Sequence, residues 1–190
     1  DLKNQAVFKK FDQYHGGWDG AHFSEVVLRV VPEDATRRQL IEQKQATGLI
    51  NNVTPEDMTA MQGESSLKVI TYPSTHVSFS LLNTATLNVS ARQGLCAAFP
   101  YDEIIKGVYN GTVKRCGPIP SSVRGYNPSL PLPQTDLNKA KELLTKGGLN
   151  PGAKISMLIV SEEETDKSAA QLFQAYLAQI GYNLDIQMVD

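Results

Sequence analysis

The sequence predicts an α/β protein built of mixed sheets with flanking helices. Three observations predict it. The tail runs from "KISMLIV" at Lys154–Val160, through a helical stretch, to "NLDIQMV" at Asn183–Val189. Near the start, "AVFKKF" and "EVVLRVVP" are short runs rich in β-branched and aromatic residues. Between these ends lie helical stretches with sharp start and stop signals. At 190 residues, 41% hydrophobic and 20% charged, the chain can form one domain or two small ones, and it is too apolar for global disorder.

The first strand is expected over Ala6–Phe11, and a Gly/aromatic loop, "YHGGWDGAHF", follows it. Glu25–Pro32 is the second strand, with Val26, Leu28 and Val30 on one face and Pro32 as its end. Asp34 can cap a helix reaching about Thr47, with Leu40, Ile41 and Lys44 on one side and Gly48 as the stop. "TPEDM" is a sharp helix start. Thr54 suits the N-cap and Pro55 the first helical position, while Glu56 and Asp57 meet the positive end of the helix dipole. Met58 and Met61 form its apolar side, and Gly63 ends it. Leu67–Tyr72 alternates as a strand, interrupted by Pro73 and Ser74. "HVSFSLLNT" reads as another, with Val77, Phe79, Leu81 and Asn83 on one face.

Helix is expected again to about Phe99, broken by Pro100 and Tyr101, then over "DEIIKGVY". Gly117–Pro133 holds five prolines and must be a loop, long enough to suggest that it packs over something or carries function. In "TDLNKAKELLTKGGLNPG", Asp136 or Thr135 caps a helix whose inner side is Leu137, Ala140, Leu143 and Leu144. Gly148 can take the left-handed position after the helix, placing Leu149 back over Leu144. "KISMLIV" is nearly continuous in apolar residues, as in a strand covered on both faces. Thr165–Ile180 follows as a helix, with Ala169, Leu172, Phe173, Tyr176, Leu177 and Ile180 inward. The last strand then runs parallel to the first of the unit.

The formal net charge of −2 and the absence of a basic stripe argue against a nucleic-acid partner. No run of about 18 apolar residues marks a membrane helix. The opening "DLKNQAVFKK" has neither an initiating Met nor a signal-peptide pattern, so the chain reads as a mature or excised piece. Three sequons, at Asn52, Asn88 and Asn110, matter only in a eukaryotic secretory setting. Cys96 is expected as a buried thiol and Cys116 in a loop; two cysteines allow either one disulfide or two thiols. His15, His22 and His76 lack metal-pair spacing, and no nucleophile elbow or phosphate-binding glycine motif occurs. "SEEET" at Ser161–Thr165 suits a helix start better than paired catalytic carboxylates. Phe8, Phe11, Tyr14, Trp18 and Phe23 can be a ligand platform or local core. The residues alone therefore point to a binder rather than an enzyme, with no catalytic residue, no metal and no cofactor expected.

The order of segments resembles the extracytoplasmic solute-binding proteins of family 5, the dipeptide/oligopeptide/nickel-binding class that serves ABC importers. "YHGGWDGAHFSEVVLRVVP" stands where the family has a Tyr-Trp-Gly-Gly-like loop and a strand. "TGLINNVTPEDM", "SFSLLNT", "ARQGLCAAF", "DEIIKGVYNG", "GPIP", "LNKAKELLTKGGL" and "QLFQAYLAQIGYNLDIQMVD" follow in the family's order. Departures fall in turns. Gly48-Leu49-Ile50-Asn51 lacks the usual acidic residues, Pro100-Tyr101 replaces an Asp-Arg pair, and Ala85–Asn88 replaces a Pro-Pro-Phe turn.

The resemblance implies a middle section of a two-lobed, type II-like periplasmic binding protein. Residues 1–76 would belong to lobe one, 77–84 to an inter-lobe crossing strand, and 85–190 to the first part of lobe two. Phe79, Leu81 and Asn83 are the implied ligand-facing residues. The implied partners are a peptide or small-molecule solute and the membrane subunits of an ABC importer, met in the periplasm or elsewhere outside the cytoplasm. A homodimer through sheet edges is a further expectation for the piece alone. The competing readings are a small hydrolase using Cys96 or a serine, and a sensor domain reusing the binding fold.

Overall fold

The computed structural model describes residues 4–49, 53–72, 74–161 and 163–189. The expectations for Ile50, Asn51, Asn52, Pro73 and Glu162 fall outside these residues. The chain divides into two compact units, Asp1–Val53 and Thr54–Asp190.

In the first unit, β1 (Gln5–Lys9) pairs antiparallel with β2 (Glu25–Arg29), setting Phe8 against Val26 and Ala6 against Leu28. The loop between them is organised by Trp18. Its indole N–H donates to the Phe11 carbonyl at 2.7 Å, and its ring contacts Tyr14 and His22 at 5.4 and 5.3 Å. Helix α1 (Asp34–Glu42) differs from expectation at both ends. Glu33 occupies the N-cap without a side-chain cap bond, and Asp34 is instead the first helical residue, ion-paired with Arg37. The helix stops at Gln43, not Gly48. Lys44 takes the left-handed conformation, its N–H bonds to the Ile41 carbonyl, and Gln45 N–H bonds to Leu40. The polar run Gln43-Lys44-Gln45 offers no apolar residue to extend the Leu40/Ile41 stripe, so nothing holds further turns down.

The second unit opens with α2 (Pro55–Gln62), as its capping residues dictate. Thr54 Oγ1 accepts from Asp57 N–H, Gly63 takes the C-cap, and Met61 is its buried residue. Leu67–Tyr72 and His76–Thr84 then run without a ladder partner among the described residues. Among the described residues neither expected strand is therefore formed. Alternation identifies a face, but a strand exists only through its neighbour's hydrogen bonds.

The core of this unit is a helical pair resting on a β-α-β unit. Helices α3 (Val89–Ala98) and α5 (Leu137–Lys146) lie antiparallel, tied at both ends. Asp136 N–H donates to the Ala97 carbonyl at 2.8 Å, and Asn88 Nδ2 donates to the Gly147 carbonyl at 2.9 Å. Pro100 caps α4 (Tyr101–Gly107), so Tyr101 starts this helix rather than breaking the chain. The Asp136 side chain caps α5 by accepting from Lys139 N–H. The alternative cap, Thr135, is engaged elsewhere. Its hydroxyl donates to the Phe99 carbonyl at 2.6 Å and accepts from Tyr101 N–H, holding the break between α3 and α4.

The close of α5 is the expected glycine stop. Gly148 has φ +85°, its N–H bonds to Thr145, and Leu149 N–H bonds to Leu144. Space around Gly148 is open, so its cost on substitution is conformational alone. Gly148→Val is expected to lower stability by about 1 kcal/mol, measured as a shifted urea midpoint at constant slope.

Strand β3 (Lys154–Val160), helix α6 (Glu164–Gln179) and strand β4 (Asn183–Val189) form the expected parallel unit, with Ile155 opposite Leu184 and Ile159 opposite Met188. Two details differ. The buried line of α6 is Ala170, Phe173 and Leu177, so Phe173 and Leu177 face inward as expected, while Ala170 is buried and Ala169 only half-buried. Also, β3 is covered on one side only: Ile159 is buried, while Leu158 and Val160 are exposed among the described residues. The continuous apolar run suits a two-sided strand, but α6 is the only layer packed on it among the described residues. Tyr182, almost fully buried, donates to the Leu149 carbonyl at 2.8 Å and locks the sheet to the α5 stop.

Candidate functional site

The segment before α3 carries the expected ligand-facing residues, and the structure anchors it at both ends. At the C-terminal end, Leu82 packs against the core of Leu95, Leu144 and Phe173. Asn83 then builds a turn: its Oδ1 accepts from Ala85 N–H at 2.9 Å, and its carbonyl accepts from Leu87 N–H. At the other end, Ser122 Oγ donates to the Ser74 carbonyl at 3.4 Å, linking the segment to the proline-rich loop.

Between the anchors the chain is bare. Phe79 is 73% and Leu81 87% exposed, against half-buried Val77 and Leu82. The main-chain N–H and C=O groups of Val77–Leu82 make no hydrogen bond among the described residues. Of the expected three, Phe79 and Leu81 thus offer apolar surface. Asn83 is committed through its oxygen to a turn and has only its amide N–H groups to offer. Chemically, a stretch whose main-chain N–H and C=O groups have no partner among the described residues, flanked by uncovered apolar side chains, can take an extended peptide by strand addition.

The proline-rich loop contributes a feature that the sequence signalled only by its length and composition. It folds on itself around an apolar hollow of about 60 Å³ lined by Ile119, Tyr126, Leu130 and Leu132. Arg115, just before it, donates to the Pro133 carbonyl and pairs with Asp102, tying the loop's two ends together.

The other candidates do not assemble into catalytic chemistry. Cys96 is exposed on α3 rather than buried, because its position turns away from the Leu95, Ala97 and Ala98 side that meets the core. Both cysteines are free thiols. Partial burial pushes the Cys96 thiol up, which makes it a weaker nucleophile at neutral pH. Tyr101, whose hydroxyl donates to the Cys96 carbonyl, is pushed up to about 12, chiefly by burial. No group of three or more His, Cys, Asp or Glu side chains among the described residues could hold a metal ion. In the aromatic group, Trp18 and Tyr14 stack locally while Phe8, Phe11 and Phe23 stay exposed. No described helix is long and apolar enough to cross a membrane.

Comparison with known proteins gives one consistent result. The model of the family "Bacterial extracellular solute-binding proteins, family 5 Middle" matches residues 1–190. The dipeptide-binding protein of Escherichia coli K12 is 28% identical over 187 residues, 94% of this chain and 34% of the relative. A glutathione-binding protein of Pectobacterium atrosepticum is 25% identical over 193 residues, 98% of this chain and 37% of the relative. The chain thus spans well under half of their length. Among solved structures, a dipeptide-binding protein from Pseudoalteromonas in complex with Met-Leu superposes with a TM-score of 0.85 at 22% identity, covering 99% of this chain and 38% of that one. The periplasmic binding protein DppA of Helicobacter pylori, in complex with the peptide STSA, gives 0.78 at 24%, covering 99% and 36%. The fold is therefore a part of the type II periplasmic binding protein fold.

Proposed function

The chain belongs to the bacterial extracellular solute-binding proteins of family 5, and from that membership we propose that it is part of the substrate-binding component of an ABC importer. It captures a peptide or similar small solute outside the cytoplasm, for delivery to the membrane subunits of the importer. Residues 1–76 belong to lobe one, 77–84 cross between lobes, and 85–190 begin lobe two. The component is not an enzyme: the work is closure over a ligand, with water excluded and polar main-chain groups satisfied. The 190-residue piece by itself forms a homodimer through its open sheet edges.

One observation supports this reading most directly. Among the described residues the main chain of Val77–Leu82 makes no hydrogen bond, and it lies beside the exposed Phe79 and Leu81, an arrangement that suits an extended peptide. The names of relatives that bind dipeptides and glutathione agree with a peptide-like solute.

Isothermal calorimetry on the full-length parent, against a panel of di- to tetrapeptides, tests it. At least one peptide should bind, and Phe79→Ala should weaken it by about 30-fold, the loss expected when a buried aromatic contact of about 2 kcal/mol is removed. A folded parent that binds no member of the panel overturns the peptide reading. Binding that ignores both Phe79→Ala and Leu81→Ala overturns the site.

A further inference from the structure

We propose that Asn110-Gly111 is a site of spontaneous covalent modification that the fold keeps shut. Asn110 converts to aspartate or isoaspartate only when the turn closing α4 opens.

The chain has a single Asn-Gly pair, and it stands here. In such a pair the Gly111 nitrogen attacks the Asn110 side-chain carbon Cγ. The new N–Cγ bond closes a cyclic imide, the Cγ–Nδ2 bond breaks, and ammonia leaves with the proton that the nitrogen gave up. Water then opens the ring at either carbonyl, giving aspartate at one and isoaspartate at the other. The sequence of steps is a substitution followed by a hydrolysis, with water as the only co-reactant. Glycine makes the pair reactive because no Cβ hinders the approach of its nitrogen. Every other asparagine precedes a residue with a Cβ, and at Asn127 and Asn150 that residue is proline, whose nitrogen has no proton to give up.

The geometry of the turn calls for this labile pair. Asn110 has φ 48° and Gly111 φ 74°, two successive left-handed residues after α4. Asparagine tolerates that conformation better than most residues, and glycine adopts it freely. Among the described residues nothing lies within 4 Å of a Cβ built on Gly111, so the angle rather than crowding selects glycine.

The same turn holds the reaction back. Gly111 N–H, the group that must attack, donates to the Ile105 carbonyl at 2.8 Å. Ring closure needs its proton removed and its peptide turned onto Asn110 Cγ, and that bond opposes both. Thr112 fixes the other side: its N–H and its hydroxyl both donate to the Tyr109 carbonyl, at 2.9 and 2.6 Å. Tyr109 N–H in turn donates to the carbonyl of Ile104, the buried residue of α4. All of these bonds lie within residues 104–112, so the lock belongs to the turn itself, whatever surrounds it. The rate in the folded protein is then the rate of the open turn multiplied by the fraction of time it is open. The change is one-way. Isoaspartate carries an extra carbon in the main chain, which prevents the Gly111–Ile105 bond from re-forming in register.

The test is peptide mapping by mass spectrometry on the full-length parent, held in mildly alkaline buffer with and without urea. Aspartate and isoaspartate at position 110 are followed over time. The expected result is conversion at Asn110 in urea that slows about tenfold or more in the native protein. Thr112→Val, which removes one exposed hydrogen bond of the turn, should raise the native rate about threefold relative to its own rate in urea. Ile104→Ala, which loosens the end of α4, should raise it about tenfold or more. Far-UV circular dichroism checks that both variants stay folded, and Thr112→Val carries the test by itself if Ile104→Ala unfolds. A native rate equal to the urea rate overturns the lock. Native protection that Thr112→Val leaves unchanged shows that this turn is not the gate and overturns it as well. No conversion at Asn110 in urea overturns the site.

Discussion

Leu144→Ala is expected to lower the unfolding free energy by about 3 kcal/mol, within the usual range for a fully buried leucine. Leu144 has no exposed surface and belongs to the core shared by α3, α5, α6 and β4. A side chain built on Gly94 would come within 2.8 Å of its Cγ, so α3 approaches closely enough to seat it against bare backbone. Truncation leaves a cavity between two helices that are pinned at both ends by the Asp136–Ala97 and Asn88–Gly147 bonds. Those ties limit collapse, and limited collapse is what makes a cavity costly. Urea unfolding is the measurement, and Leu143→Ala is the control, since Leu143 is only half-buried on the same helix. A loss under about 1 kcal/mol, or one equal to that of Leu143→Ala, would show that this helical pair is not the core of the unit.

Gly147→Ala should cost nearly as much, about 2–3 kcal/mol, for a different reason. Gly147 has φ −77°, which any residue adopts, so no backbone strain is involved. The added Cβ would lie 2.5 Å from the Ala91 nitrogen and 2.8 Å from its Cα. Backbone cannot step aside as a side chain can. The two helices must separate, stretching the Asn88–Gly147 bond that joins their ends. Ala91→Gly added to Gly147→Ala removes the Cβ–Cβ clash but leaves the backbone contact, so a double-mutant cycle should recover only part of the loss. Full recovery, or no initial loss, would contradict the close approach. The neighbouring Gly148 is the internal comparison: it sits in open space and is demanded by its φ, whereas Gly147 is demanded by proximity.

That pair of glycines shows how far the sequence could be read. Gly148 follows an amphipathic run and precedes Leu149, a local signature of a helix stop, and the structure places it so. Gly147 carries no local signal, because what excludes a side chain there is Ala91, 56 positions earlier in the chain. The same division holds for the candidate site. Phe79 and Leu81 could be named from alternation and family resemblance. That Leu82 is the anchor depends on contacts with α3, α5 and α6, and the Asn83 turn, though local, was masked by the alternation that suggested a strand.

By itself the sequence determined the features that depend on a few adjacent residues. These are the Thr54 cap, the Gly148 stop, the parallel β3-α6-β4 unit and the family to which the chain belongs, whereas the choice of Asp136 over Thr135 as the α5 cap came from the contacts of Thr135 with Phe99 and Tyr101. Caps, periodicities and glycine conformations are settled by interactions within one or two turns, so a short window contains them. Only the tertiary structure decided which expected strands have partners, that Ala170 is buried and Ala169 only half-buried, and that Cys96 faces outward. It also decided where α1 ends, since a helix continues only while another element covers its apolar stripe. Each of these turns on a neighbour remote in the chain, and hydrophobic pattern alone does not specify which neighbour that is.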